Sequence, residues 1–307
     1  MDVKLDDEQI ELMRSVRGEL QRHRATVSAP GPSDCDVGSL RALDEASFLD
    51  IMAAGGSALE ATLVIEEAAA TAPGTPVVGR VLVGPAVTDR ALPALVALVE
   101  RPEGSLCRNA GLAEVLLVLD GDDARYVDAS DALIVPEVSR WGYPLARVHA
   151  TKGESLGAGS GPKMRRAWQV GLAAEAAGLM EAASLHAARY VADRYQFGKP
   201  IGSLQSIQHR LARAYVAAQG AKWLARRAAW DINDAKAAAA AACYAAANLP
   251  DVVSGVQQVC GAIGFTDEFG LTRYTARMAM LQTELGGARA HAVALGRARW
   301  SVTTETG

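Results

Sequence analysis

Apolar residues recur at helical spacing along most of this chain, and the pattern changes character only in the middle. Near the start, Ile10, Met13, Val16 and Leu20 share one face of a helix over residues 5–24. Residues 25–38, rich in Pro, Gly and Ser, read as a linker. A second helical block runs from about Leu40 to Ala72, interrupted by Gly55 and Gly56, and Pro73-Gly74-Thr75-Pro76 closes it. Between about 105 and 150 the period shortens. Val115-Leu116-Leu117-Val118-Leu119 ends in the turn signal Asp120-Gly121-Asp122, and segments 132–136 and 146–150 read as further short strands. This β-region is too short for a complete sandwich or a wound α/β domain.

From Gly161 onward the helical period returns. Trp168, Leu172, Leu179, Ala183 and Tyr190 form one stripe of a long helix, with Glu175, Glu181 and Arg189 on its other faces. Gly198, Pro200 and Gly202 interrupt it, and Ser203 is placed to cap a helix reaching about Ile232. An alanine-rich helix follows, expected to end at Asn248-Leu249-Pro250, and three shorter helices finish the chain. The expected fold is mainly α with a small β insert (α+β). Its parts are an N-terminal helical domain over 1–104, a reduced middle β-domain over 105–155 and an antiparallel helical bundle over 156–307.

Composition narrows the function classes. Half of the 307 residues are apolar, enough to bury a core. The formal charge of −4 and the lack of a basic run argue against a nucleic-acid partner, while a few arginines and helix ends still suffice for an anionic cofactor. Cys35, Cys107, Cys243 and Cys260 lie too far apart in sequence for a zinc motif or a disulfide framework. The charged N-terminus is no signal peptide, and the alanine-rich stretch contains Lys236 and is too short to span a bilayer. No membrane partner and a cytoplasmic location are expected. Gly157-Ala158-Gly159-Ser160-Gly161-Pro162 mimics a dinucleotide fingerprint, but the third glycine falls on Pro162 and no βαβ unit surrounds it, so it reads as a linker.

The most informative stretch is Arg194-Tyr195-Gln196-Phe197-Gly198-Lys199-Pro200, continuing through Gln205 to His209. It puts an arginine at a helix end, then a turn fixed by glycine and proline, then a glutamine-rich helix. Arginine offers a forked donor set to a pyrophosphate, and glutamine amides can address ribose and adenine. A charged interhelical loop would account for the same residues. The stretch resembles the R-x-x-F-G-x-x-[IL]-x-x-x-Q-x-[IV]-Q signature of the acyl-CoA dehydrogenases. A second stretch, Gln258 to Thr266, is similar to that family's Q-x-x-G-G-x-G-[FY]-[TS], with Ala262 replacing the second glycine. The resemblance is dense over 160–300 and weaker over 1–150. It implies FAD, an acyl-CoA substrate and an electron-transfer flavoprotein or similar acceptor. Arg194, Gln196, Phe197 and Gln205 would then hold the ADP half of one FAD. Gln258, Gly261 and the backbone through Ala262 would hold that of another, across a subunit boundary, so the cofactor implies an oligomer.

The chain departs from the family where the chemistry lies. The family's glutamate removes an α-proton while hydride leaves the β-carbon for the flavin, which requires a carboxylate held dry. One of its two known positions falls here on Trp168. The other falls on Leu285, with Glu284 one residue away, a rotation of about 100 degrees on a helix. The flavin-facing T-E-P-x-x-G-S-D-like loop is also missing, because Leu92 to Gly104 runs almost directly into Leu112 to Leu117. No catalytic residue is assigned, Glu284 being the one candidate. The whole resembles the degenerate subunit of actinobacterial α2β2 steroid side-chain dehydrogenases, which implies a homologous catalytic subunit as partner and a bulky CoA thioester as substrate. Two alternatives stand beside this: a self-sufficient homo-oligomer using Glu284 as base, and a helical scaffold that binds neither flavin nor CoA.

Overall fold

Helix α1 (Asp7–Thr26) lies on a layer formed by α2 (Val37–Glu45) and α3 (Ala58–Thr71) in the computed structural model, which describes residues 4–26, 34–139 and 143–300. Local chemistry sets these starts. Asp36 accepts from the Ser39 N–H ahead of α2, and Ser57 with Glu60 forms a reciprocal capping box ahead of α3. A π-helical turn (Gly79–Val83) and the short α4 (Gly84–Val87) lead into the β-region.

That region begins with β1 (Val96–Val99), inside the segment expected to be helical. It continues through β2 (Glu103–Arg108), β3 (Val115–Asp120), β4 (Asp123–Asp128), β5 (Leu133–Glu137), β6 (Leu145–His149) and β7 (Glu154–Ser155). The strands form two sheets, ordered β1-β3-β4-β7 and β2-β6-β5, with β1 parallel to β3 and the other pairs antiparallel. Val99, Cys107, Leu116, Val118, Val127 and Val148 share a small core of their own. The sequence expectation of something less than a sandwich undercounted the layers: two short sheets close on each other because each strand alternates inward and outward residues.

The C-terminal half is built on α5 (Ser160–Asp193), followed by the hairpin β8 (Tyr195–Gln196) and β9 (Lys199–Pro200). Helices α6 (Gln205–Trp230), α7 (Ala235–Cys260), α8 (Thr272–Leu281) and α9 (Gly287–Trp300) complete it. α5 is central, packed by α3, α6, α7 and α8, and is apolar almost all round rather than striped. Glu175 and Glu181, on the other faces of this helix, are engaged by Arg108 and by Lys222 with Gln219. Two local expectations fail. Ser203 does not cap α6; its hydroxyl donates to the Pro200 carbonyl. Pro250 does not end the alanine-rich helix: α7 runs on to Cys260, because Leu249, Val252 and Val256 are buried and their packing offsets one lost backbone bond. Among the described residues, no helix is long and apolar enough to cross a membrane.

Small residues let the helices approach. A Cβ added at Gly178 would meet the Glu66 carbonyl oxygen and lie 2.9 Å from the Ala69 Cβ. Gly178→Ala gains about 1 kcal/mol of helix propensity but forces α3 and α5 apart, at a cost of roughly 1–3 kcal/mol. A lowered Tm in thermal melts is the expected result.

Candidate functional site

Two places carry chemistry. The first is one end of the bundle, where short antiparallel connections bring the end of α5, the start of α6 and the end of α7 together. Arg194 caps α5, and the hairpin behind it turns through Phe197 and Gly198, both at positive φ (55° and 75°). A bulky residue in that region is unusual, and glycine beside it suits a tight hairpin turn. Phe197 is 86% exposed, and Arg194, Gln196 and Gln205 are exposed with it. No carboxylate among the described residues pairs with Arg194. At the end of α7, Gln258, Gly261 and Ala262 face outward as well. Gly261 has φ 67° and ψ −149°, a conformation essentially reserved for glycine. A Cβ at Gly198 or Gly261 would meet nothing of the chain, so the space above both turns is open. An unpaired guanidinium, an exposed aromatic and bare backbone fit the nucleotide tail of FAD. Neither group is bonded to the other within the chain.

The second place is a cavity of about 260 Å³ between the β-sandwich, the segment Pro76–Gly79, α5 and the turn before α9. Trp168 and Glu284, which stand at or beside the family's two base positions, meet here: Trp168 Nε1 donates to Glu284 Oε2 at 2.9 Å. Arg108, the last residue of β2, donates through Nε to the other oxygen of Glu284. Its Nη1 and Nη2 grip Glu175 at 2.8 and 3.0 Å. Burial raises the Glu284 pKa above the ordinary carboxylate range, opposed by Arg108 and assisted by the Glu175 charge. Both carboxylate oxygens are nevertheless held by donors. Leu285, at φ 53°, gives its N–H to Glu100, a second cavity carboxylate whose pKa burial also raises.

The wall expected to be missing is shortened rather than absent. β1 joins β2 through three residues. One side of the β2-β6-β5 sheet carries the cross-strand row Leu106, Arg147 and Val135, of which Leu106 and Arg147 line the cavity. Sequence reasoning missed Arg108, Glu100 and Asn109. The one available signal was alternation in β2, where Ser105 and Cys107 are buried while Leu106 and Arg108 point the other way.

Residues 169–298 match the acyl-CoA dehydrogenase C-terminal domain family. Acyl-CoA dehydrogenase IpdE2 of Mycobacterium tuberculosis is 29% identical over 240 residues, covering 73% of this chain and 72% of that protein. Probable acyl-CoA dehydrogenase YdiO of Escherichia coli is 34% identical over 106 residues, and this chain spans 28% of that protein's length. Among solved structures, the ChsE4-ChsE5 complex from Mycobacterium tuberculosis superposes with TM-score 0.77 at 20% identity, over 97% of this chain and 98% of that one. The Tcur3481-Tcur3483 steroid ACAD gives 0.76 at 23%, over 95% and 98%. The helical bundle is thus similar to the C-terminal domain of acyl-CoA dehydrogenases, and nearly three quarters of the chain to one acyl-CoA dehydrogenase.

Behind the cavity, Gln169 Nε2 and His291 Nδ1 lie 3.2 Å apart, and His291 is 1% exposed. Burial pushes the His291 pKa down to about 4. The unfolded chain takes up this proton near pH 6.5 and the folded chain refuses it until about 4. The stabilisation is therefore complete above about pH 6.5 and is lost as the pH falls towards 4, on the order of 3 kcal/mol. His291→Gln should flatten that part of the profile, as read by urea melts across the window.

Proposed function

We propose that this chain is the non-catalytic subunit of a heteromeric FAD-dependent acyl-CoA dehydrogenase, completing the cofactor site for a catalytic homologue. The observation that carries it is the state of the two base positions. One is an indole, and the carboxylate beside the other has both oxygens committed to Arg108 and Trp168. Each oxygen of this carboxylate is tied to a donor, so turning one towards a substrate α-proton would break an interaction. Bound FAD supplies the hydride acceptor. The chain's own residues would bind and orient the cofactor: Arg194 at the pyrophosphate, Gln196 and Gln205 at the ribose and adenine, Phe197 against the nucleotide. The Gln258–Ala262 turn would serve a second cofactor. The two-component names of the ChsE4-ChsE5 and Tcur3481-Tcur3483 structures support an α2β2 assembly, and the latter's description as a steroid ACAD supports a bulky CoA thioester.

Co-expressed with its homologue, the chain should give a yellow, active complex, and purified alone it should be flavin-poor. Arg194→Ala should lower the flavin content of the complex by at least about tenfold, the weight of one charge-assisted contact. Unchanged flavin, measured by absorbance after extraction, would favour a scaffold that binds no cofactor.

One observation favours a second reading, a self-sufficient dehydrogenase with Glu284 as base. Its raised pKa and its place at a cavity are what a general base needs. Glu284→Gln decides between them. Turnover of the complex should change by less than about threefold if Glu284 is structural, and fall by about 10²–10⁴-fold if it is the base.

A further inference from the structure

A second pocket, of about 590 Å³, opens where the C-terminal halves of α1 and α3 meet α5, α6 and α8. That volume lies within the range of roughly 300–1,000 Å³ typical of small-molecule sites. The carboxylates lining it are spent inside the chain. Glu67 is held by Arg17 at 2.9 Å, Glu66 by Arg226 at 2.6 Å, and Glu181 by Lys222 and Gln219. Arg24 and Arg189 line the same pocket, and among the described residues neither is paired with a carboxylate. Residues 27–33, which follow α1 in the chain, include no acidic side chain.

Arg24 is fixed in place, because one of its nitrogens donates to the Thr71 carbonyl at the end of α3. Arg189 is exposed on α5. Tyr274 of α8 lines the pocket with them, and its hydroxyl reaches the Ala70 carbonyl only at 3.5 Å, the outer limit of a hydrogen bond. Burial raises the Tyr274 pKa, and the charges of Arg24, Arg273, Arg189 and Arg277 oppose that rise, so these guanidiniums all act on the phenol. His186 adds no charge near neutral pH, because burial lowers its pKa from the ordinary value of 6.5. A solvated surface would account for Arg189 by itself. It does not account for a second guanidinium and a phenol held in the same pocket with donors left over.

We propose that this pocket binds a small hydroxylated phosphomonoester, its phosphate held by Arg24, Arg189 and the Tyr274 hydroxyl. A phosphate presents acceptors with close to two negative charges, which matches two forked cations and a phenolic donor. A lone carboxylate carries one charge and leaves the second guanidinium unmatched. An extended polyanion would run onto Glu66, Glu67 and Glu181, so the ligand is compact. Gln21 and the ion-paired Arg17, Glu67, Glu181 and Lys222 line the rest of the pocket with donors and acceptors, which suits an organic part rich in hydroxyls. The site is separate from the turn proposed for FAD, since Arg194 does not line it. The inference does not depend on the partner-completing reading.

Inorganic phosphate and ribose 5-phosphate are titrated calorimetrically into the full chain at constant ionic strength. The expected result is that both bind and that the sugar ester binds more tightly. Arg189→Gln, at an exposed position, should weaken both by about tenfold or more, the weight of one charge-assisted contact. Arg24→Gln should do the same, and Arg194→Ala should leave both affinities unchanged. Equal affinity for the two probes overturns the proposal, because the pocket then reads no more than an ion. Binding that survives Arg189→Gln, or that is lost in Arg194→Ala instead, overturns it by placing the phosphate elsewhere. Absence of binding by either probe overturns it as well.

Discussion

The Arg108 guanidinium joins the two halves of the molecule and decides the state of the cavity between them. It leaves the last position of β2, grips Glu175 of α5 with two nitrogens and gives the third to Glu284 ahead of α9. Charges taken out of water are tolerated only when met by opposite charge and hydrogen bonds. Loss of one member of such a set costs about 3–5 kcal/mol, through the group left behind. Without Arg108, two buried carboxylates would face each other. The contact between the sandwich and the bundle, the orientation of Glu284 and the shape of the cavity therefore form one linked arrangement.

Much of the fold was legible because it follows from periodicity. Helices α1, α3, α5, α6 and α7 lie close to where apolar spacing puts them, and the strand run Val115–Leu119 is β3. The residues proposed to face a nucleotide stood out for another reason. Their signal is compact, with arginine, aromatic, glycine and proline within seven positions, and each is exposed at a helix end where local sequence sets local shape.

The cavity was not legible, because its parts meet only in three dimensions. Arg108 is 67 positions from Glu175 and 176 from Glu284, and nothing near any of them marks a partner. The same limit explains Pro250. A proline reads as a stop when only the chain is seen, but burial of the residues after it carries α7 another ten positions to Cys260. The tight connection between β1 and β2 likewise reads as a deleted wall. Only the register of β2 against β6 shows that the remaining strands still offer Leu106, Arg147 and Val135 to one side.

Charge alone would not prevent Glu284 from accepting a proton. Glu175 already neutralises Arg108 through two bonds, so a neutral Glu284 would strand no cation, and its raised pKa points the same way. The obstacle is geometric. Arg108 Nε and the Trp168 indole approach from two sides and occupy both oxygens, and Leu285 at φ 53° fixes the turn that carries them. A base must instead present one oxygen to the substrate carbon. Restoring that would take a smaller residue at 168 and a rotated turn at 284–286 together, because either change alone leaves a buried donor or acceptor unmet. The turns that carry Arg194 to Gln205 and Gln258 to Ala262 face no such coupling: their residues named above are exposed and mutually unbonded. Change at the cavity therefore has to be concerted, while change at the two exposed turns can proceed one residue at a time.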